Sequence, residues 1–405
     1  MTAQPDTTRP PEAADPVEDT DTRSWPAVWV LGLGTFLFVT TELLPVGLLP
    51  SIGAGVGVPV GIAGLVVSVY GGIAALTAAP LTSWVRRMDR RTLLVSLLGL
   101  LVVGNVISAV APNYLVLMLG RVVIAFAHGV FWSTTPAVGT RLVEPKNAVR
   151  ALSVVLGGIS VASVVGVPLG TAIGQATNWR VAFLAAAGAG LLVLVAVLVL
   201  LPSMRARNSG GLAAIPQLLR NGPFLVAIAV AALTMIGHYL AYTYVTPYLE
   251  DVVGISPGMV SVLLLVFGAA GIAGNFLAGG AVAKGLRRAL VSAVALLAGS
   301  LLVISLTGGA STTAAVVLLV AWGLSYAALP VCLQTLVLRS APEATDAASS
   351  LYVAVFNASI ALGALGGGIA VESAGVGSVT VVGAVLVAAA LIVLLVSRKS
   401  RHNGG

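Results

Sequence analysis

Runs of about 20 residues free of charged side chains recur along this chain from Pro26 to Val396, and they limit its fold more than any motif does. Twenty residues of helix rise about 30 Å, the thickness of the hydrocarbon core of a bilayer. Inside lipid every amide and carbonyl needs a partner, so only helices or a closed barrel can cross. The alternating apolar and polar pattern of barrel strands is absent, which leaves helices. The runs predict an all-α membrane protein of twelve transmembrane helices, near 27–50, 59–83, 92–111, 114–138, 148–173, 180–201, 223–249, 257–281, 289–308, 312–337, 346–370 and 376–396. Apolar residues make up 58% against 9% charged, and mean hydropathy is +1.05, as a polytopic membrane protein requires.

A net charge of +7 would suit nucleic acid, but the basic residues are placed otherwise. They gather in alternate loops: Arg86, Arg87, Arg90 and Arg91, then Arg141, Lys146 and Arg150, then Arg205, Arg207 and Arg220, then Lys284, Arg287 and Arg288, then Arg339, and finally Arg398, Lys399 and Arg401. The other loops hold Arg180 beside Glu250, Asp251 and Glu372. The positive-inside rule then places both termini in the cytoplasm, and the partner surface is a lipid bilayer with no role for nucleic acid. Residues 1–24, rich in Pro, Thr and acid without a basic n-region, are expected to form a disordered cytoplasmic tail and not a signal peptide, and 398–405 a second cytoplasmic tail. Cys332 is the only cysteine, so neither an internal disulfide nor a cysteine metal cluster is expected, and no metal site is predicted.

An internal repeat divides the chain. Pro50 and Pro247 lie 197 residues apart, as do the pairs Arg90-Arg91 and Arg287-Arg288, each followed by Leu-Val-Ser within a few residues. Two six-span halves, 25–201 and 223–397, joined by a cytoplasmic linker at 202–222, describe a transporter with its site between the halves near mid-membrane. No phosphate-binding Gly-x-x-x-x-Gly-Lys-Ser/Thr stretch accompanies any of the three lysines, so ATP is not the energy source expected. An ion gradient remains. The ionisable groups within spans are Glu42, His128 and His238, with Arg121 as a fixed cation, an inventory that suits protons better than sodium.

Glu42 lies eight residues before Pro50, and Arg121 seven after Tyr114, so both sit roughly 10–12 Å below the outer surface. If spans one and four are neighbours, carboxylate and guanidinium can pair, either as the proton-coupling device or as a static ion pair locking one bundle. Arg121, Ala125, His128 and Trp132 share one face of span four, a wall suited to a polar ligand, although a lone membrane histidine equally serves to bond a neighbouring helix. Span seven carries His238, Tyr239 and Tyr242, with Tyr244 and Tyr248 placed either beside them or in an interfacial aromatic belt. Gln334 and Asn357 add uncharged donors and acceptors. Together His128, Trp132, His238, Tyr239, Tyr242, Gln334 and Asn357 are the candidate substrate contacts. Gly158, Gly166 and Gly170 allow span five to approach a partner helix, and Pro168 bends it, a surface on which halves could slide.

The string Thr41-Glu42-Leu43-Leu44-Pro45-Val46-Gly47-Leu48-Leu49-Pro50 resembles the first span of bacterial sugar efflux transporters, in the drug/proton antiporter branch of the major facilitator superfamily. Arg121, Ala127 through Ser133, Gly170-Thr171, Trp179-Arg180, Phe183 and Gly237 through Tyr248 are similar to the arabinose-efflux type, and the likeness runs from about residue 25 to 396. The resemblance implies the major facilitator fold of two pseudo-symmetric six-helix bundles. It further implies substrate/proton antiport of small sugars across a bacterial inner membrane, without enzymatic activity or any cofactor beyond the proton gradient. Arg121 would be the family's fourth-span arginine, and Gly166, Pro168 and Gly170 its antiporter motif. A monomer is expected. Between spans two and three, Thr82, Arg86 and Asp89 stand where the family has Gly, Asp and Gly, while Arg87, Arg90 and Arg91 remain to anchor the cytoplasmic side. Relatives with this signature also export nucleosides or amphenicol drugs, and a multidrug pump would lean on Phe38, Phe131, Trp132 and Tyr326. A non-transporting membrane sensor is the remote alternative.

Overall fold

A computed structural model describes residues 24–204, 215–307 and 311–397; all but Ser24 of the expected tail at 1–24, Arg205 and Arg207 of the linker, and the tail at 398–405 lie outside them. Among the described residues there are helices and no strand. Twelve helices are long and apolar enough to cross a membrane: Trp25–Val56, Val60–Ala78, Arg90–Ala109, Tyr114–Arg141, Pro145–Ala176, Trp179–Leu200, Gly222–Tyr242, Pro257–Ala278, Gly280–Thr307, Thr312–Ser340, Ala347–Ala374 and Ser378–Val396. They are spans one to twelve below. Span nine is bounded at Gly280, nine residues earlier than its apolar run predicts, and the chain kinks at Gly285, whose φ of 163° and ψ of 101° are not helical, so that Lys284 precedes the kink and Arg287 and Arg288 follow it.

The peripheral helices turn large apolar side chains outward, among them Leu76, Leu192 and Val199, each more than 70% exposed. Such a surface is what lipid solvates and water does not. Lipid is as apolar as these side chains, so the helices are held together by close packing and internal hydrogen bonds. Within the first half, spans three, four, two and six pack together, with one against five; in the second, seven packs on eleven and twelve, and eight and nine on ten.

An even number of spans brings Ser24 and Ser397 to one face, here the terminal face; the opposite one is the distal face. The halves meet along spans two and eleven and spans five and eight, and at the distal ends of one and seven. There the amide of Gly61 donates to Glu372 Oε1 at 3.0 Å, while Tyr244 Oη donates to the carbonyls of Gly61 and Ala364 at 3.2 and 3.0 Å. A β-carbon on Gly61 would sit 2.8 Å from Gly368 O, so glycine is required for this approach. Tyr244 thus seals the two halves and does not belong to an interfacial belt. Tyr248, also buried, donates to Ile304 O at 2.7 Å. Ser261 Oγ donates to Gln175 Oε1 at 2.7 Å in a second distal strap.

The glycines of span five serve a different partner from the one expected. Gly158 faces Gly32 O and Phe36 N of span one, Gly166 faces Thr40, and Gly170 faces Leu44. They lock span five to span one inside the first half, and it is Gly268 of span eight that approaches span five across the halves, at Ser163 O. Four residues before Pro168, which has no amide to give, the helix widens into a π-turn at Ala162–Gly166.

At the terminal face Arg91 donates to Leu198 O at the end of span six, and Arg287 to Leu394 O at 2.8 Å at the end of span twelve. Each arginine closes a helix C-terminus that carries partial negative charge. The repeat therefore pairs Arg91 with Arg287, one position off the match suggested by sequence. Arg90 gives its amide to Met204 O, and Arg87 is exposed. Asp89 caps span three through the Thr92 amide at 3.1 Å and accepts from Ser203 Oγ and the Met204 amide at 2.8 and 2.7 Å. The residue that replaces a family glycine thus clips the segment after span six to the loop between spans two and three.

Candidate functional site

Two prolines shape the site. Helix one runs to Leu43, then tightens into a 3-10 turn at Leu44–Leu48 containing Pro45, and resumes at Leu49. Pro45 lacks the N–H that would reach Thr41 O four residues back. Arg121 supplies the missing donor: Nη1 donates to Thr41 O at 2.7 Å, Nη2 to Glu42 O at 3.1 Å and Nε to Val66 O at 3.3 Å. Its guanidinium also lies 4.4 Å from the centre of the Tyr70 ring. A fully buried arginine is tolerable only with its donors satisfied in this way.

The expected carboxylate–guanidinium pair is not what the fold makes. Arg121 holds the backbone of Glu42, and the Glu42 side chain turns to His128, with Oε2 3.8 Å from Nε2. The other ring nitrogen, Nδ1, is bonded to Tyr70 Oη at 2.8 Å. The four groups form a line from Glu42 through His128 and Tyr70 to Arg121, all buried in the first half. Glu42 Oε1 has no hydrogen-bond partner among the described residues. Trp132, half-buried with its ring centre 6.0 Å from that of His128, continues the same face of span four towards the terminal side.

Span seven breaks at the equivalent depth, ending at Tyr242 before a short turn with Pro247. His238 and Tyr239 precede that break as Thr41 and Glu42 precede the first. Here Trp322 of span ten takes the part of Arg121 in span four: Nε1 donates to His238 Nδ1 at 3.0 Å. The imidazole lies flat on Tyr326, centres 3.7 Å apart, and stacks on Tyr242 at 5.2 Å. Tyr239 Oη and Tyr326 Oη are hydrogen-bonded at 2.7 Å, and Tyr242 stacks on Phe267. His238 Nε2 is buried without a partner among the described residues.

The two remaining candidates stand apart. Asn357 donates to Val353 O of its own helix at 3.0 Å, beside Gly71 on the seam between spans two and eleven. Gln334 is exposed two turns beyond Tyr326 towards the terminal face and, among the described residues, bonds Ser349 Oγ at 3.5 Å. Thr82 and Ser133, 2.6 Å apart, line the first half on that side. Tyr70, Phe267 and Trp322 were not among the predicted contacts, and Tyr326 only as an apolar one. Trp322 and Tyr326 sit one turn apart as His238 and Tyr242 do, the one sequence signal that could have joined them.

The comparisons agree with this architecture. A family model described as the Major Facilitator Superfamily matches residues 31–364. The nucleoside transporter NupG is similar over 91% of this chain and 98% of its own, with 12% identity and a TM-score of 0.78. A bacterial homologue of the human lysosomal transporter Spinster, inward-facing and occupied, matches over 93% and 97% with 16% identity and a TM-score of 0.72. The human organic anion transporter TETRAN matches over 93% and 99% with 18% identity and a TM-score of 0.66. At such identities the likeness establishes the fold.

Proposed function

Because this chain belongs to the Major Facilitator Superfamily, a family of multi-pass membrane transporters, we propose that it is a proton-coupled antiporter that exports small sugars by alternating access. The observation that carries the reading is the Glu42–His128 contact, a buried carboxylate with one oxygen near an imidazole and the other without a partner. Such a group is kept in a membrane protein for its proton. Arg121 is committed to backbone carbonyls, so the switch is the Glu42 side chain against His128 and not against the guanidinium. Protonation removes the attraction between Glu42 and His128 and biases the halves towards one facing state, which takes only a few kcal/mol of differential interaction.

The loops rich in arginine face the cytoplasm in this reading, with both termini inside a bacterial inner membrane. The distal seal of Gly61, Tyr244 and Glu372 is then the closed outer gate, and the molecule is inward-facing. Sugar would meet His128 and Trp132 on one side and His238, Tyr239 and Tyr242 on the other, with the unpartnered His238 Nε2 as a ready hydrogen-bonding group. No chemistry on the substrate and no cofactor besides the proton gradient is required. The flat stack of His238 on Tyr326 supports a second cargo, a planar ring such as a nucleoside or an amphenicol, on the same mechanism.

The test is flux in proteoliposomes loaded with a pH-sensitive dye, under an imposed pH gradient, with sugars, nucleosides and chloramphenicol added in turn. Sugar-evoked proton movement lost in Glu42→Gln supports the proposal. A response to nucleosides or chloramphenicol alone replaces the cargo, and coupled flux retained in the variant removes Glu42 from the mechanism.

A further inference from the structure

Spans eight, nine and ten enclose a cavity of about 440 Å³ at their terminal ends, separate from the aromatic cluster around His238. It exists because the facing side chains are small: Ala278 on span eight, Ala289 and Ala293 on span nine, Ala328 and Cys332 on span ten. Its deep end is shut where spans eight and ten touch, since a β-carbon on Gly274 would lie 2.0 Å from Leu324 O. Its flanks carry Leu277 and Leu296, 62% and 40% exposed, so the opening is sideways into lipid. Tyr326 and Trp322, which stack on His238, lie on a different face of span ten from Cys332.

The mouth is marked by charge. Lys284 and Arg288 line it, both exposed, on either side of the kink at Gly285, and neither has a hydrogen-bond or ion-pair partner among the described residues. Their neighbour Arg287 differs, being spent on the carbonyls of Leu394 and Leu395. Just past the end of span eight at Ala278, the two free cations stand at the level where an apolar groove meets the headgroup region. An apolar slot open to lipid with two cations at its rim matches a ligand with a hydrocarbon chain and an anionic head.

We propose that this groove binds one anionic phospholipid of the leaflet at the terminal face, the phosphate held between Lys284 and Arg288 and an acyl chain laid along Ala289, Ala293 and Ala328. The occupant is a lipid and not a soluble anion, because most of the wall is apolar and opens towards the bilayer. The inference stands apart from the transported substrate and from Glu42.

Native mass spectrometry of the detergent-solubilised full chain tests it, with phosphatidylglycerol, phosphatidylcholine of identical chains, or inorganic phosphate added separately. Wild type is expected to retain one phosphatidylglycerol in preference to phosphatidylcholine. The Lys284→Gln/Arg288→Gln double variant should weaken retention by about fivefold for each charge removed, whereas Arg87→Gln should not. Ala293→Leu, which fills the slot and leaves the charges, should also weaken it. Equal retention of both lipids, displacement of the lipid by inorganic phosphate, or full retention in the double variant would overturn the proposal.

Discussion

Arg121 Nη1 donates to Thr41 O at 2.7 Å, and Thr41 is the residue that Pro45, four positions on, leaves without an amide donor. The break in span one and the arginine of span four are therefore one device. The proline ends the helix, the exposed carbonyls concentrate negative partial charge, and the guanidinium neutralises it. With the backbone of Glu42 fixed, its side chain is aimed at His128.

Arg121→Lys should be costly although charge is kept, because one ammonium cannot match a planar fork spread over three carbonyls. The expected loss is about 1–3 kcal/mol, the penalty for leaving buried acceptors unmet. Pro45→Ala restores an amide to Thr41 O and should recover part of the loss. Thermal unfolding of the two single variants and the double variant in one detergent measures this; purely additive effects would show that proline and arginine act separately.

Tyr70 bonds His128 through its hydroxyl and faces Arg121 with its ring, so two substitutions separate the roles. Tyr70→Phe should leave thermal stability within about 1 kcal/mol and alter transport through His128. Tyr70→Leu should lower stability further by about 0.5–2 kcal/mol, the worth of a ring under a desolvated cation. Equal stability of the two variants would remove the ring contact from the account.

The twelve spans were legible because hydropathy is a local property, and the two halves because the repeat offset survives at Pro50 and Pro247. Glu42 and Arg121 stood out as isolated charges, and their common depth followed from counting residues. Their partners did not follow. Depth fixes height along the membrane but not rotation about the helix axis, and nothing in the sequence announced that Pro45 would free a carbonyl for Arg121 to take. Gly158, Gly166 and Gly170 were recognisable as a packing face, yet a face does not name its neighbour, which is span one and not the other half. Tyr244 could have been a belt residue, and only its bonds to Gly61 and Ala364 make it a seal.

That seal should be adjustable. Tyr244→Phe removes a hydroxyl that bridges the halves, and a lost bond of about 1 kcal/mol shifts a two-state population roughly fivefold. Gly61→Ala should act more strongly, since its β-carbon would press on the backbone of span eleven, 2.8 Å from Gly368 O. Spin labels at Thr177 and Ser256, in a Cys332→Ser background, should report a larger fraction of long distal distances in both variants. Unchanged distance distributions would mean that other distal contacts, such as Ser261 with Gln175, hold the halves closed.

Asp89 gives a pH dependence of known sign. Burial pushes its carboxyl up, but Ser203 Oγ and the amides of Thr92, Met204 and Arg91 outweigh burial and hold it below its ordinary 3.8. A carboxyl lowered on folding stabilises the folded form wherever the unfolded chain is already ionised, so the clip contributes fully at neutral pH. Its contribution falls away as the pH drops below 3.8 and through the lower folded value. The site is largely solvated, so the effect is small and screened by salt. Asp89→Asn should melt below wild type at pH 7, with the gap narrowing as acid protonates the wild-type carboxyl. A gap of constant size from pH 7 to the acid limit would show that the hydrogen bonds of Asp89, and not its charge, tie Ser203 and Met204 to the loop.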